Sequence, residues 1–205
     1  MEKKWEDAWR EGQVGWDAGD SPPILHRLVE EQLLPKGRAL VPGCGAGYDV
    51  VTLAGPERHV VGLDGAPTAK QRFDEVLAAS DVADDEVTYR TGDFFDFSPA
   101  EPFDLVWDYT FLCAIEPNIR PDWARQMSKL IRPGGQLVAL LFPIIDDEVT
   151  FQEMMDAGPP FPLIPQEIEE LLAEDFEALS VEPTDESHQG RQGMEWLARF
   201  QRREG

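Results

Sequence analysis

Apolar residues along this chain follow two alternating rhythms, short unbroken runs and stripes spaced every three or four positions. The runs read as strands at Ala39-Leu40-Val41, at His59 to Leu63 ending on Asp64, at Val87 to Arg90, at Phe103 to Asp108 and at Gln136 to Phe142. The stripes between them read as helices. Ile24, Leu25, Leu28, Val29 and Leu33 form one, preceded by the capping candidates Asp20 and Ser21 and ended by Pro35-Lys36-Gly37. Another runs to Leu53 and stops at Gly55-Pro56; a third opens at Pro67 with Phe73, Val76 and Leu77 facing inward. A fourth spans about Pro121 to Ile131 and closes on Arg132-Pro133-Gly134-Gly135, and Pro165 starts a fifth through Glu174.

The end of the chain switches to a period of two. After a strand at Phe176 to Val181, Met194, Trp196, Ala198 and Phe200 alternate against Glu195, Arg199 and Gln201, which puts Glu195 in the solvent-facing row. Alternating strands and helices followed by a hairpin predict an α/β fold. Its sheet is mostly parallel, with helices on both faces and an antiparallel C-terminal hairpin. One domain over residues 1–205 is expected, with no internal repeat. Residues 143–165, rich in proline, glycine and acids, read as an irregular insertion long enough to form a lid. At the other end, residues 1–20 carry Trp5 and Trp9 on one helix face and Trp16 after a glycine break. That segment reads either as a helix packed on the core or as a lid whose indoles cover a cation. The pattern alone leaves both open.

Charge narrows the partners. With 18 Lys+Arg against 40 Asp+Glu the formal charge is −22, so nucleic-acid backbones and anionic lipid are repelled. The acids are dispersed among apolar periodic segments, so they imply a solvated surface and not a disordered tail. Cys44 and Cys113 have no metal or redox spacing, and no apolar signal region or membrane-length run is present. A cytoplasmic monomer acting on a small molecule is expected, with no membrane partner and no metal.

The chemistry concentrates at the strand ends, where ligands of open α/β sheets bind. Gly43, Gly45 and Gly47 form a turn after the first strand, and glycines there let a ligand approach the backbone. Asp64 ends the second strand, placed to accept hydrogen bonds from vicinal ribose hydroxyls. The spacing Gly-x-Gly-x-Gly, followed by the bulky Tyr48 and no lysine, departs from both dinucleotide and phosphate-loop patterns. It suits S-adenosylmethionine, whose sulfonium and amino-acid end need no phosphate cradle. Asp93 and Asp108 lie at two further strand ends.

These stretches carry a resemblance. Gly-x-Gly-x-Gly, Asp64, Gly-Asp93-Phe94, Phe-Asp-Leu-Val-Trp-Asp108 and Arg-Pro-Gly-Gly together resemble Rossmann-like class I S-adenosylmethionine-dependent methyltransferases. Trp5-x-x-x-Trp9, Gln-Val-Gly-Trp16-Asp, Val-Pro-Gly-Cys-Gly-Ala-Gly-Tyr-Asp and the run from Asp108 through Ala124 are similar to the thiopurine methyltransferase family. The likeness is strongest to its thiol and halide methyltransferases. The resemblance covers residues 1 to about 200 and implies that Trp5, Trp9 and Trp16 shape the cofactor pocket. It further implies that Gly43 and Gly45 approach the methionine part and Asp64 the ribose, while Asp93 and Phe94 receive the adenine. Tyr109 would stand between cofactor methyl and acceptor, and Arg120 near the substrate or in a salt bridge to a surface acid. The acid usual two residues before the first glycine is replaced by Val41, and two tyrosines of the plant-type enzymes by Phe142 and Phe161, which leaves a greasier pocket.

The implied reaction is in-line methyl transfer to a soft nucleophile such as a thiol, bisulfide or halide, giving S-adenosyl-L-homocysteine. Such acceptors need alignment and desolvation more than a strong base. Asp108 is a candidate for orienting the acceptor, as base or as structural acceptor, and His26, His59 and His188 are scattered and read as structural or exposed. Aryl or heterocyclic thiols are the neighbouring alternative as acceptors. A non-catalytic S-adenosylmethionine-binding module remains a rival, and a nicotinamide oxidoreductase is opposed by Tyr48. The acidic surface predicts adaptation to high salt: the melting temperature should rise along a salt series, and maximal stability without salt would overturn that reading.

Overall fold

The computed structural model describes residues 2–204 and contains a seven-stranded sheet in the order β3-β2-β1-β4-β5-β7-β6. The strands are β1 (Gly37–Pro42), β2 (Arg58–Asp64), β3 (Val87–Thr91), β4 (Phe103–Tyr109), β5 (Ile131–Leu141), β6 (Phe176–Pro183) and β7 (Trp196–Arg202). The chain divides into two compact units, Met1–Glu101 and Pro102–Gly205. No helix among the described residues is long and apolar enough to cross a membrane.

In the first unit, β2 pairs in parallel with both β1 and β3. Its helices are α1 (Glu2–Glu11), α2 (Pro23–Glu30), α3 (Tyr48–Leu53) and α4 (Ala69–Ala78). The stripe expected on α2 is buried at Ile24, Leu25 and Leu28. On α4, Phe73 is buried whereas Val76 and Leu77 are half-buried. Gly47 caps α3 with φ +85°, and a Cβ there would lie 2.3 Å from Cδ2 of Phe73. Only glycine fits such a position, because both the backbone angle and the space exclude a side chain.

In the second unit, β4 and β5 run parallel while β5–β7 and β7–β6 are antiparallel, the expected terminal hairpin. Phe103, Leu105, Val106 and Trp107 are all buried, as befits a strand covered on both faces. Its helices are α5 (Arg120–Leu130), α6 (Glu148–Ala157) and α7 (Pro165–Leu172).

Three expectations need correction here. Arg132-Pro133-Gly134-Gly135 does not precede β5 but bulges within it, since the register jumps from Phe103↔Ile131 to Leu105↔Gln136. A Cβ on Gly135 would meet the carbonyls of Arg132 and Asp104 at 3.0 Å, which explains the glycine. The 143–165 insertion is not wholly irregular. It contains α6, capped by Asp147, whose Oδ2 accepts from Thr150 N and Oγ1 at 2.7 Å each. None of its residues is buried, so no apolar stripe announced it. Finally, Glu195 precedes β7 and is 1% exposed, not solvent-facing.

Gly47→Ala should destabilise the protein by about 1–3 kcal/mol through backbone strain and displacement of Phe73. Urea unfolding measures this, and an unchanged midpoint would contradict the geometry.

Candidate active site

In the first unit the glycine turn is held by a carboxylate. Asp64 is buried, and its Oδ2 accepts the N–H of Gly45 at 2.9 Å while Oδ1 accepts that of Ala66 at 2.8 Å. Burial raises its pKa, and the two N–H groups pull it back. Each oxygen keeps a lone pair, so hydroxyl donors fit without displacing either backbone bond. Gly43 and Gly45 take φ +59° and +49°, which aims the turn's backbone away from the strand direction.

The N-terminal tryptophans come to this turn. A Cβ on Gly45 would stand 3.2 Å from Cζ2 of Trp9, so the indole lies directly over the backbone. Trp16 meets Trp5 and Trp9 edge-on, with ring centroids 5.0 and 5.9 Å apart. Between the two helical tryptophans, Glu6 reaches the loop after β2 and accepts from Thr68 N at 3.0 Å and Thr68 Oγ1 at 2.5 Å. The Thr68 hydroxyl and N–H lower the Glu6 pKa below the usual carboxylate range. Sequence reasoning missed this pair; an acid between two tryptophans of one helix was its only trace. Phe94 is buried, and Asp93 Oδ1 accepts the N–H of Phe95 at 2.7 Å.

The second unit gathers the other candidates at the end of β4. Asp108 is 2% exposed; Oδ1 accepts the N–H of Leu112 and Oδ2 accepts the indole N–H of Trp123, both at 3.0 Å. Burial pushes its pKa up to about 6 against those two bonds. Thr110, with φ 60°, turns the chain sharply so that Leu112 can reach back. Arg120 is buried; its Nη2 donates to the carbonyl of Pro162 at 3.3 Å, and its Nε has no hydrogen-bond partner. Of the two readings of Arg120, the surface salt bridge is not formed, since among the described residues Arg120 makes no ion pair within 4.0 Å. Burial lowers its pKa, opposed by Cys113 and Glu167. The insertion is pinned here as well, Phe161 N donating to Cys113 O at 2.8 Å and Leu163 N to Pro143 O at 2.9 Å.

Tyr109 is held from several sides. Its hydroxyl donates to Oε1 of Glu195 at 2.6 Å and accepts from Nη1 of Arg191. The Arg191 guanidinium lies 5.3 Å from the Tyr109 ring centroid and 4.8 Å from that of Phe142. His188 stacks on the same tyrosine at 6.2 Å between centroids. Burial, then the Glu195 hydrogen bond, raises the Tyr109 pKa, while Arg191 opposes both. The sequence pattern does not single out Arg191, puts Glu195 in the solvent-facing row and reads His188 as structural or exposed, because all three sit in a polar loop and a hairpin start remote from Tyr109.

A strand–glycine-turn–helix, a buried strand-end carboxylate and an aromatic cover are the parts a class I methyltransferase needs. The sequence model of the thiopurine S-methyltransferase family matches residues 1–203. The chain belongs to the thiopurine S-methyltransferase family. It is an S-adenosylmethionine-dependent methyltransferase. It is 45% identical over 199 residues to the probable thiol methyltransferase 2 of Arabidopsis thaliana, covering 97% of this chain and 84% of the relative. Over the same shares it is 42% identical to the thiocyanate methyltransferase 1 of Brassica oleracea. In fold it is similar to the N-methyltransferase NodS of Bradyrhizobium japonicum in complex with S-adenosylhomocysteine. That similarity has a TM-score of 0.68 at 21% identity over 89% of this chain and 86% of that one.

In this methyltransferase the raised pKa of Asp108 has a sign that can be tested. Its carboxyl binds a proton more tightly folded than unfolded, so its stabilising contribution is complete below about pH 4 and lost as pH rises through about 6. Relative to Asp108→Asn, the wild type should lose on the order of 2 kcal/mol across that window. Denaturant unfolding at several pH values measures the difference, and a pH-independent difference would refute the assignment.

Proposed function

We propose that this enzyme methylates small soft nucleophiles, thiols and thiocyanate-like or halide anions. The observation that carries the proposal is the Arg191 guanidinium beside the Tyr109 hydroxyl and against the Phe142 ring. A cation among aromatic rings favours a polarisable, weakly hydrated anion over a strongly hydrated one, because little hydration has to be surrendered. The two plant relatives, a probable thiol methyltransferase and a thiocyanate methyltransferase, support the same acceptor class.

The residues of the first unit fit S-adenosylmethionine. We assign Asp64 to the ribose hydroxyls, Asp93 and Phe94 to the adenine, and Gly43 and Gly45 to close backbone approach at the methionine end. Trp5, Trp9 and Trp16 exclude water above the glycine turn, with Glu6 fastening α1 to Thr68. When bound, the cofactor supplies an electrophilic methyl group on a cationic sulfur. In the second unit, Tyr109 and the half-buried Arg191 orient the acceptor, and Arg120 contributes a buried positive charge. Asp108 shapes the wall through Leu112 and Trp123; with both oxygens already accepting, it serves as an anchor and not as a base. Aryl and heterocyclic thiols are the second reading, favoured by the family description and by phenylalanines at positions 142 and 161.

The purified protein is incubated with S-adenosylmethionine and thiocyanate, bisulfide, iodide or an aryl thiol, with gas and liquid chromatography for the methylated products and S-adenosylhomocysteine. Turnover of at least one small acceptor is expected; cofactor binding without product from any would overturn the reading. Asp64→Ala should weaken cofactor binding about 10–100-fold by calorimetry, the loss of hydrogen bonds to a charged group. Glu6→Gln should weaken it less, and wild-type affinity in Asp64→Ala would remove Asp64 from the site.

A further inference from the structure

Glu195 is an expensive group to keep where it is. Its carboxylate is 1% exposed, Oε1 is occupied by the Tyr109 hydroxyl, and Oε2 is buried with no hydrogen-bond partner. A buried carboxylate oxygen left unpaired costs stability. Glutamine in its place would accept the same Tyr109 bond without a charge. For an enzyme that binds only anions the position is also electrostatically wrong, since a carboxylate one hydroxyl away from the acceptor repels it. A group that is both buried at a cost and adverse to anion binding calls for work that only a carboxylate does.

Thiols and thiocyanate differ in one respect that matters here. Thiocyanate and iodide arrive as nucleophilic anions, whereas most alkyl thiols arrive protonated and must lose a proton before sulfur attacks. We infer that Glu195, acting through the Tyr109 hydroxyl, is the proton acceptor for protonated thiols, and that it makes this enzyme a thiol methyltransferase as well as an anion methyltransferase. This rests on the placement of the acceptor beside Tyr109 proposed above.

The step balances as follows. The acceptor S–H bond breaks with its electron pair left on sulfur, and the proton bonds to Tyr109 Oη. Tyr109 passes its own proton along the 2.6 Å hydrogen bond to Glu195 Oε1, leaving a neutral phenol and a carboxylic acid. The freed pair on the acceptor sulfur forms the new S–CH3 bond as the donor sulfur keeps the pair of the bond that breaks. Solvent later takes the proton from Glu195. Arg191 remains hydrogen-bonded to Oη and stabilises negative charge on oxygen and sulfur during the transfer. The high pKa of Tyr109 fits a relay that never stays ionised. Glu195 thus acts through Tyr109, as a positioning and proton-accepting residue.

Glu195→Gln separates this from a purely structural or electrostatic role, because the two predict opposite signs. Removing a negative charge helps every anionic acceptor, so electrostatics alone predicts equal or faster turnover of thiocyanate and thiols alike. The relay predicts that kcat/KM for an alkyl thiol falls about 100-fold relative to that for thiocyanate, the low end of what a positioned proton acceptor contributes. Across thiols of decreasing acid pKa the deficit should shrink, vanishing for those already ionised in solution. Tyr109→Phe should give the same split, which keeps the inference testable if one variant folds poorly. A readout without turnover uses a chromophoric aryl thiol at about one pH unit below its own pKa. The cofactor-free wild type should bind it with thiolate absorbance, and Glu195→Gln with less. Equal losses for thiol and thiocyanate, or a deficit independent of thiol pKa, would overturn the inference. Wild type inactive on every acceptor would instead overturn the reading of function on which it rests.

Discussion

The first unit is organised by the burial of one charge. Asp64 sits at the end of β2, out of water, and its ionised form is tolerable only because the N–H groups of Gly45 and Ala66 point at it. Losing either would leave a buried charge short of a partner, which costs several kcal/mol in a protein interior. That requirement fixes the glycine turn against β2, and the turn's left-handed backbone angles then favour glycine. The loop after β2 inherits the same constraint. Ala66 is held by Asp64, and two residues later Thr68 is where Glu6 fastens α1. The tryptophan cover over Gly45 is therefore tied, through a short chain of hydrogen bonds, to the carboxylate beneath it.

The second unit solves a different problem, how to satisfy polar side chains inside an apolar wall. Asp108 is spent on holding Leu112 and Trp123, so the sharp turn at Thr110 keeps its shape. The hydroxyl of Tyr109 next to it is shared between a donor, Arg191, and an acceptor, Glu195. Adjacent residues on one strand end thus divide the labour. One carboxylate holds the turn, and one phenol is held between a guanidinium and a carboxylate.

Much of the fold was legible because its determinants are local. The unbroken apolar run of β4, the glycines of the turn and the helical stripe of α2 each carry their own signal. Asp64 could be read for the same reason, as an acid at a strand end at a fixed distance from the turn. Glu195 and Arg191 could not. Their partner Tyr109 lies 86 and 82 residues away in the chain, and no local pattern encodes that meeting. Alternation in the last strand even placed Glu195 in the solvent-facing row, since periodicity registers polarity and does not register a hydrogen-bonding phenol waiting inside. Helix α6 escaped notice for the converse reason, because a helix with no buried residue has no stripe to betray it.

The excess of 40 acids over 18 bases has a consequence for traffic as well as for solubility. Several of the bases are already paired with acids three or four residues away, as in Arg27 with Glu31, Lys70 with Asp74 and Arg72 with Glu75. The exterior thus presents a net negative field, whereas Arg120 is buried and Arg191 half-buried within the second unit. A small monovalent anion meets a modest barrier that ions screen over a Debye length of about 8 Å at physiological salt. A thiol bearing several carboxylates meets that barrier several times over. The acidic coat therefore opposes the approach of polyanionic solutes more strongly than that of small monovalent anions or neutral molecules.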